Sequence, residues 1–443
     1  MTGSIWLDAL WVALVFSYGW GVRGTITGAM RGAMVAGGLI GLALAIQGEG
    51  ASGGAMYALA AAGAIGFSFG GSMTYGQTLG LTQDGDPPSA YAWGMLGTCV
   101  KGSVWIGLGA LVMGMAASSI EYSLMDGVIL IIIGPVLWAL GIRIFNRPMA
   151  PPARFPAVYF SKRDATGRAE WWGGMWVMFA GWLGYAYLVR GDGFAAGLAM
   201  FGLVGGGIGF PFGQALHSWG SRKAPLGKGA QAWIDWWKVM EFTFGAVAGL
   251  ALSLGWTVLG RRFPLSPLDL SPEWSTISIA TALVWLAVFL YVYIRLRPQK
   301  DPYETWWFFA LHLFAPLPGV LAGDFLWTVL FGCSMLFWVV GYTVPLRWPT
   351  EGRERAVRRA LWAFVAAVVG VSLLLGFADA WTSAALLGAL VVFYSILLGF
   401  TYRLSDMKRS AEGRRRTHSA FTRATPMVFL AQTVLILWAL VRL

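Results

Sequence analysis

Apolar residues recur along this chain in runs of about 20, separated by short clusters of glycine, proline and charge. A run of that length carries an α-helix across a hydrocarbon layer of roughly 30 Å. The runs predict fourteen membrane-spanning helices, near 4–22, 28–47, 53–75, 92–116, 121–142, 170–189, 194–216, 232–257, 276–296, 305–321, 325–344, 358–376, 380–402 and 425–442. The expected fold is an all-α polytopic integral membrane protein, a single membrane domain over 1–443.

Fourteen spans put successive loops on alternate sides, and the basic residues divide accordingly. One set of loops holds 25 of the 32 lysines and arginines, among them Arg23, Arg143, Arg222, Arg347 and Arg415. The opposite set holds Arg190, Arg261, Arg262 and Arg442. Cytoplasmic loops collect basic charge, so both termini are expected outside an inner (cytoplasmic) membrane. The expected cytoplasmic loops include 143–169 and 403–424, the second a basic stretch able to meet anionic lipid or a soluble partner.

Composition supports the same class. Apolar residues make up 57% of 443, charged residues only 12%, and the mean hydropathy is +0.64. Ordinary soluble domains carry about 25% charged residues. The net charge of +11 needs no nucleic-acid partner, because loop charge that fixes orientation accounts for it. Cys99 and Cys333 lie in apolar stretches, and the three histidines have no paired spacing. No disulfide framework, metal or cofactor is therefore expected. The N-terminus lacks a basic leader and carries Asp8, so it reads as a first span rather than a signal peptide. The 25 tryptophans are expected mostly at the interfaces and against lipid.

The chain also matches itself at an offset of 143. Gly38 and Gly41 align with Gly181 and Gly184, and Gly48-Glu49-Gly50 with Gly191-Asp192-Gly193. Gly66-Phe67-Ser68-Phe69-Gly70 aligns with Gly209-Phe210-Pro211-Phe212-Gly213. After a loop three residues shorter in the second copy, Ala92-Trp93 meets Ala232-Trp233. A fainter third copy carries Gly323-Asp324. The expected layout is three parallel four-helix repeats, 28–148, 170–298 and a degenerate 305–404, with spans 1 and 14 flanking. Repeats of this kind are frequent in transporters, whose ligand sites lie at the repeat interface near the midplane.

Charges inside spans cost at least ~2.5 kcal/mol each on insertion scales, so they face the bundle interior. Arg31, Lys101, Asp235, Lys238 and Glu241 are of this kind. Lys101 and Glu241 are repeat equivalents of opposite sign, each eight residues after its tryptophan, and are expected to approach each other or share a cavity near the midplane. Asp235 and Lys238 are expected to neighbour one another near the helix end. Arg23 and Arg31 flank Gly-Thr-Ile-Thr-Gly, which reads as an anion site at a helix N-terminus. Pro211, with Gly209 and Gly213, is expected to break span 7, as Gly66 and Gly70 interrupt span 3. Gln77, Gln214 and His217 are expected to line the inner half of the resulting cavity. Gly213 and Gly220-Ser221-Arg222-Lys223 resemble the cytoplasmic loop signature of the major facilitator superfamily. His217 stands where that family has Asp, and the outside termini and three-repeat plan depart from it, so the chain is not assigned to that family.

The leading functional expectation is a secondary-transporter-like protein for a small polar, anionic solute. Arg31 and Lys101 would contact the anion, and Glu241 would serve as counter-charge or proton carrier. A membrane-embedded enzyme acting on a lipid-linked substrate through Asp235, Glu241 and His217 is the second class, and a non-catalytic membrane scaffold the third.

Overall fold

The computed structural model describes residues 4–48, 53–73, 75–83, 88–146, 158–161, 170–223, 234–265, 276–292, 308–324, 326–328, 331, 383–411 and 421–442. Among these residues the chain is helical, with one isolated β-bridge between Ser118 and Leu265. Helix α1 (Ile5–Val22) continues into a π-turn, Arg23–Thr27, and α2 (Ala29–Gln47) follows. Then come α3 (Gly53–Gly70), the short α4 (Gly76–Gln83), α5 (Pro88–Ala117) and α6 (Leu124–Phe145). Helix α7 (Trp172–Gly184) also runs into a π-turn, Tyr185–Val189. Helices α8 (Gly193–Lys223), α9 (Trp236–Gly260) and α10 (Thr276–Tyr291) lead to a π-turn at Phe309–Phe314 and α11 (Leu317–Leu321). Helices α12 (Ser383–Ala411) and α13 (Phe421–Arg442) complete the described chain.

Among the described residues seven helical stretches are long and apolar enough to cross a membrane, and four shorter apolar helices accompany them. Their outer faces suit lipid. On α8 Met200, Val204, Ile208 and Phe212 are each about half exposed at four-residue spacing, as are Ile132, Val136, Leu140 and Ile144 on α6. Residues four apart share one helix face, and an exposed apolar stripe of this kind belongs against hydrocarbon. Most of the expected spans 325–344 and 358–376 lie outside the described residues, as does Glu49.

Six helices close a ring: α1 packs on α2 and α9, α9 on α8, α8 on α5, α5 on α3, and α3 back on α2. Glycine permits the tightest crossings. A Cβ on Gly206 would overlap the Gly102 carbonyl and one on Gly102 the Gly206 carbonyl, so α5 and α8 touch backbone to backbone. Gly37 and Gly63 do the same for α2 and α3. Gly206→Val is therefore expected to cost about 3 kcal/mol or more, because overpacking here displaces backbone rather than a side chain. Thermal unfolding of the purified variant measures this, and an unchanged midpoint would count against the crossing.

The ring's interior is aromatic. Phe16 packs edge-on to Phe67 (5.2 Å), Trp20 lies 4.9 Å from Trp105 and 4.8 Å from Phe244, and Phe210 stacks on Phe244 at 4.8 Å. Trp20, Trp105, Trp138 and Trp182 are all buried. The expectation that tryptophan serves mainly lipid and interface thus fails for these four. Gly66 and Gly70 on α3, and Gly209 and Gly213 on α8, act as contact positions. Their added Cβ atoms would meet Gly109, Trp105, Phe244 and Met240 respectively.

One expected break is therefore corrected. Helix α8 runs unbroken through Gly209, Pro211 and Gly213. Proline removes one backbone donor, but α5 and α9 grip α8 on two sides over much of its length, and tertiary packing overrides the local preference. The superfamily-like run 213–223 consequently forms the end of a helix, not a loop. In the first copy the helix does end at Gly70, and turns at 71–73 lead to Tyr75.

The helix ends sort into two groups. Hydrogen bonds from Ser118 and Tyr122 to Asp192, from Ser119 to Pro264 and from Gln47 to Thr257 gather the ends of α2, α5 and α9 with the start of α8. Here Gly191 and Gly323 adopt left-handed φ values of 70° and 69°, which glycine accepts freely, and the following Asp192 and Asp324 cap the next turns through Ala195 N and Trp327 N. The opposite end carries Arg23, Glu170, His217 and Glu241.

Candidate functional site

At that opposite end α1 delivers Arg23 into the ring. Its guanidinium carbon lies 5.1 Å from the centroid of Trp20, 4.9 Å from Tyr75 and 4.7 Å from Trp105, all within cation–π range. Nη1 donates to Tyr75 Oη at 3.0 Å and stands 3.8 Å from Glu241 Oε1. Nε and Nη2 are buried with no hydrogen-bond acceptor among the described residues.

Glu241, in the second turn of α9, is the hub. Lys238 Nζ meets Oε2 at 2.5 Å and also donates to Gly21 O at 3.3 Å, while Trp237 Nε1 donates to Oε1 at 3.0 Å. Arg23 and Glu241 are each 2% exposed. Gly24 makes this possible, because a Cβ there would overlap the carboxylate. Asp235 caps α9 by accepting from Lys238 N at 3.1 Å. Lys238 therefore reaches Asp235 through its backbone and Glu241 through its ammonium.

Lys101 has a different partner from the one expected. Its Nζ lies 2.7 Å from Glu170 Oε1 and donates to Thr78 Oγ1 at 2.7 Å. Ser161 Oγ and Phe160 N (3.1 Å) donate to the same carboxylate. Lys101 and Glu170 are essentially inaccessible. Of the two arrangements expected for Lys101 and Glu241, direct pairing is not the one found: Lys101 meets Glu170, just before α7, and Glu241 meets Arg23, at the end of α1. The two groups are neighbours all the same. Lys101 and Trp105 are one turn apart on α5, and Tyr75 and Thr78 one turn apart at the start of α4.

Depth along the helix separates the two repeat-equivalent positions. Glu241 lies within two turns of the start of α9, toward the charged end rather than at mid-helix. Lys101 lies near the middle of α5, a helix of 30 residues, well beyond the roughly 20 that cross a bilayer. The extra turns precede Lys101, where α5 starts earlier relative to its tryptophan than α9 does.

Gln214 donates to Thr82 (2.5 Å) and Ser218 (3.2 Å), and His217 hydrogen-bonds to Gln83 and Gln214 while its ring packs 5.5 Å from Trp237. These residues join α8 to α4. Gln77 is half-buried, and its Oε1 has no hydrogen-bond partner among the described residues. Arg31 in the first turn of α2 lies within electrostatic range of buried His312 in the third π-turn. Among the described residues no group of three or more His, Cys, Asp or Glu is placed to hold a metal.

In the sequence Arg23 reads as half of an anion site, and Glu170, Trp20 and Trp105 emerge as its neighbours or those of Lys101 only in the structure. Two local signals pointed to them: Trp20 and Gly24 bracket Arg23, and Trp105 follows Lys101 by one turn. No local signal tied Glu170 to Lys101. No family model, curated protein or solved structure matches the chain.

Proposed function

We propose that the chain is a membrane transporter of the secondary type for a small charged solute, with its binding determinants at the Arg23–Glu241–Lys238 group. The observation that carries this reading is a buried arginine, two of whose nitrogens have no acceptor among the described residues, beside a carboxylate and inside a ring of apolar helices. Charge buried within such helices is costly and is retained in membrane proteins chiefly for ion and substrate paths. A buried ion pair adds little net stability, so packing alone is a weak reason to keep it.

The proposed repeats lend support. Positions 101 and 241, equivalent in the self-match, each reach a charge at the start of a repeat: Lys101 meets Glu170 before α7, and Glu241 meets Arg23 before α2. Polarity is reversed in both members. The solute site would then lie between the first two repeats, as in other repeat-built transporters. The anionic solute expected earlier rested on Arg31 and Lys101, and Glu170 now neutralises Lys101.

A scaffold role is favoured by one observation, the aromatic filling of the ring between Phe16 and Phe244. A thermal-shift screen of small cations, anions and zwitterions on protein in lipid nanodiscs separates the two. Transport predicts a solute that raises the midpoint in wild type and loses that effect in Glu241→Gln. A scaffold predicts no response to any member of the panel.

A further inference from the structure

The cage around Arg23 suits an arginine poorly. A guanidinium carries five N–H donors in a planar fork, yet among the described residues only Nη1 finds an acceptor or a counter-charge. Nε and Nη2 are buried against ring faces and have none among the described residues. Three aromatic faces and one carboxylate attract positive charge without offering acceptors to match the fork. A quaternary ammonium has that charge, an apolar surface and no donor to leave unsatisfied. Aromatic cages are how proteins recognise such ions.

The sign of the ligand follows from the same surroundings. Aromatic faces are the negative side of the ring quadrupole, and Glu241 adds a carboxylate that Lys238 offsets in part at 2.5 Å. An anion placed among them would be repelled, whereas a cation exchanged for Arg23 leaves the balance with Glu241 and Lys238 unchanged.

A second, independent observation concerns the backbone that carries Arg23. It opens the π-turn Arg23–Thr27, followed by Gly28 at φ 66° and Ala29 at φ 45°. A residue with a Cβ rarely adopts the left-handed region, and Ala29 is the non-glycine residue that does so among those described. Wide π-turns and strained residues gather at functional sites.

We propose that Trp20, Tyr75, Trp105 and Glu241 form a recognition site for a quaternary ammonium ion, and that Arg23 fills it as a tethered substitute when no such ion is bound. This rests on the reading of the Arg23–Glu241 group as a solute site and names the class of solute.

Tetramethylammonium chloride is the probe, compared with guanidinium chloride and sodium chloride at equal ionic strength. The protein is held in nanodiscs as wild type, Arg23→Ala and Arg23→Gln, with thermal midpoint and tryptophan fluorescence as readouts. Tetramethylammonium should bind Arg23→Ala at least tenfold more tightly than guanidinium does. It should bind wild type more weakly than Arg23→Ala, because Arg23 must first be displaced. Adding Trp105→Leu to either background should weaken binding at least tenfold. If Arg23→Ala does not fold, Arg23→Gln removes the charge and keeps a polar side chain of some length, and the wild-type titration stands alone. Rescue of the arginine variants by guanidinium but not by tetramethylammonium would overturn the proposal and leave Arg23 a structural residue. So would binding that is indifferent to Trp105→Leu, or no response in either wild type or Arg23→Gln. Cage binding without uptake into vesicles would uphold this inference and overturn transport. Uptake of some other solute, blocked by Glu241→Gln with no response to tetramethylammonium, would do the reverse.

Discussion

Glu241→Gln is expected to destabilise the protein by about 3–5 kcal/mol, the range found when one partner of a buried pair is removed. The loss is large because the carboxylate serves two cations, Lys238 at 2.5 Å and Arg23 at 3.8 Å, at a site almost closed to solvent. Removing it leaves the positive charges of Lys238 and Arg23 without their shared carboxylate. Lys238→Met in the Glu241→Gln background removes one of those charges and should recover much of the loss. Chemical or thermal unfolding in a single lipid environment reads both effects. A single variant as stable as wild type, with a loss no larger than that of an ordinary surface substitution, would mean that the group is solvated and lies outside the closed interior.

Lys101→Met should cost a similar ~3–5 kcal/mol, since it strands Glu170 at a fully buried position where, among the described residues, Ser161 and Phe160 N remain to hold its charge. Replacing both members, Lys101→Met with Glu170→Met, should come close to wild type, because well-packed apolar residues often substitute for a buried pair without loss. Charge reversal discriminates between partners. Lys101→Glu with Glu170→Lys should restore stability, whereas Lys101→Glu with Glu241→Lys should not, because Glu170 and Arg23 would each then face a like charge. Rescue by the second pair instead would restore the pairing that the repeat alone suggests.

Helix positions were readable in the sequence because apolar length is a local property. The span expected at 4–22 is Ile5–Val22, and that expected at 28–47 is Ala29–Gln47. The self-match marks Gly191-Asp192 and Gly323-Asp324 as corresponding positions, but the left-handed glycine and the capping acid at each are seen only in the structure. Pairing was less readable. Self-matching locates equivalent residues, but equivalence is not contact, and Lys101 finds Glu170 far along the chain through the packing of α5 against α7. Pro211 misled because a lone helix yields at proline, while this one is clamped by α5 and α9. Tryptophan misled for a related reason. A membrane protein's apolar interior and its lipid surface draw on the same residue types, and only the closed ring distinguishes Trp20 and Trp105 from their exposed counterparts such as Trp6 and Trp438.

Solute uptake into proteoliposomes compares the two buried pairs under identical conditions. The solute is one that raises the thermal midpoint of wild type, and its uptake is measured for wild type, Glu241→Gln and the Lys101→Met/Glu170→Met double variant. If the Arg23–Glu241 group is the solute site and the Lys101–Glu170 pair a clamp, uptake falls at least tenfold in Glu241→Gln and persists in the double variant. Uptake that survives Glu241→Gln but disappears with the Lys101–Glu170 pair would contradict this assignment.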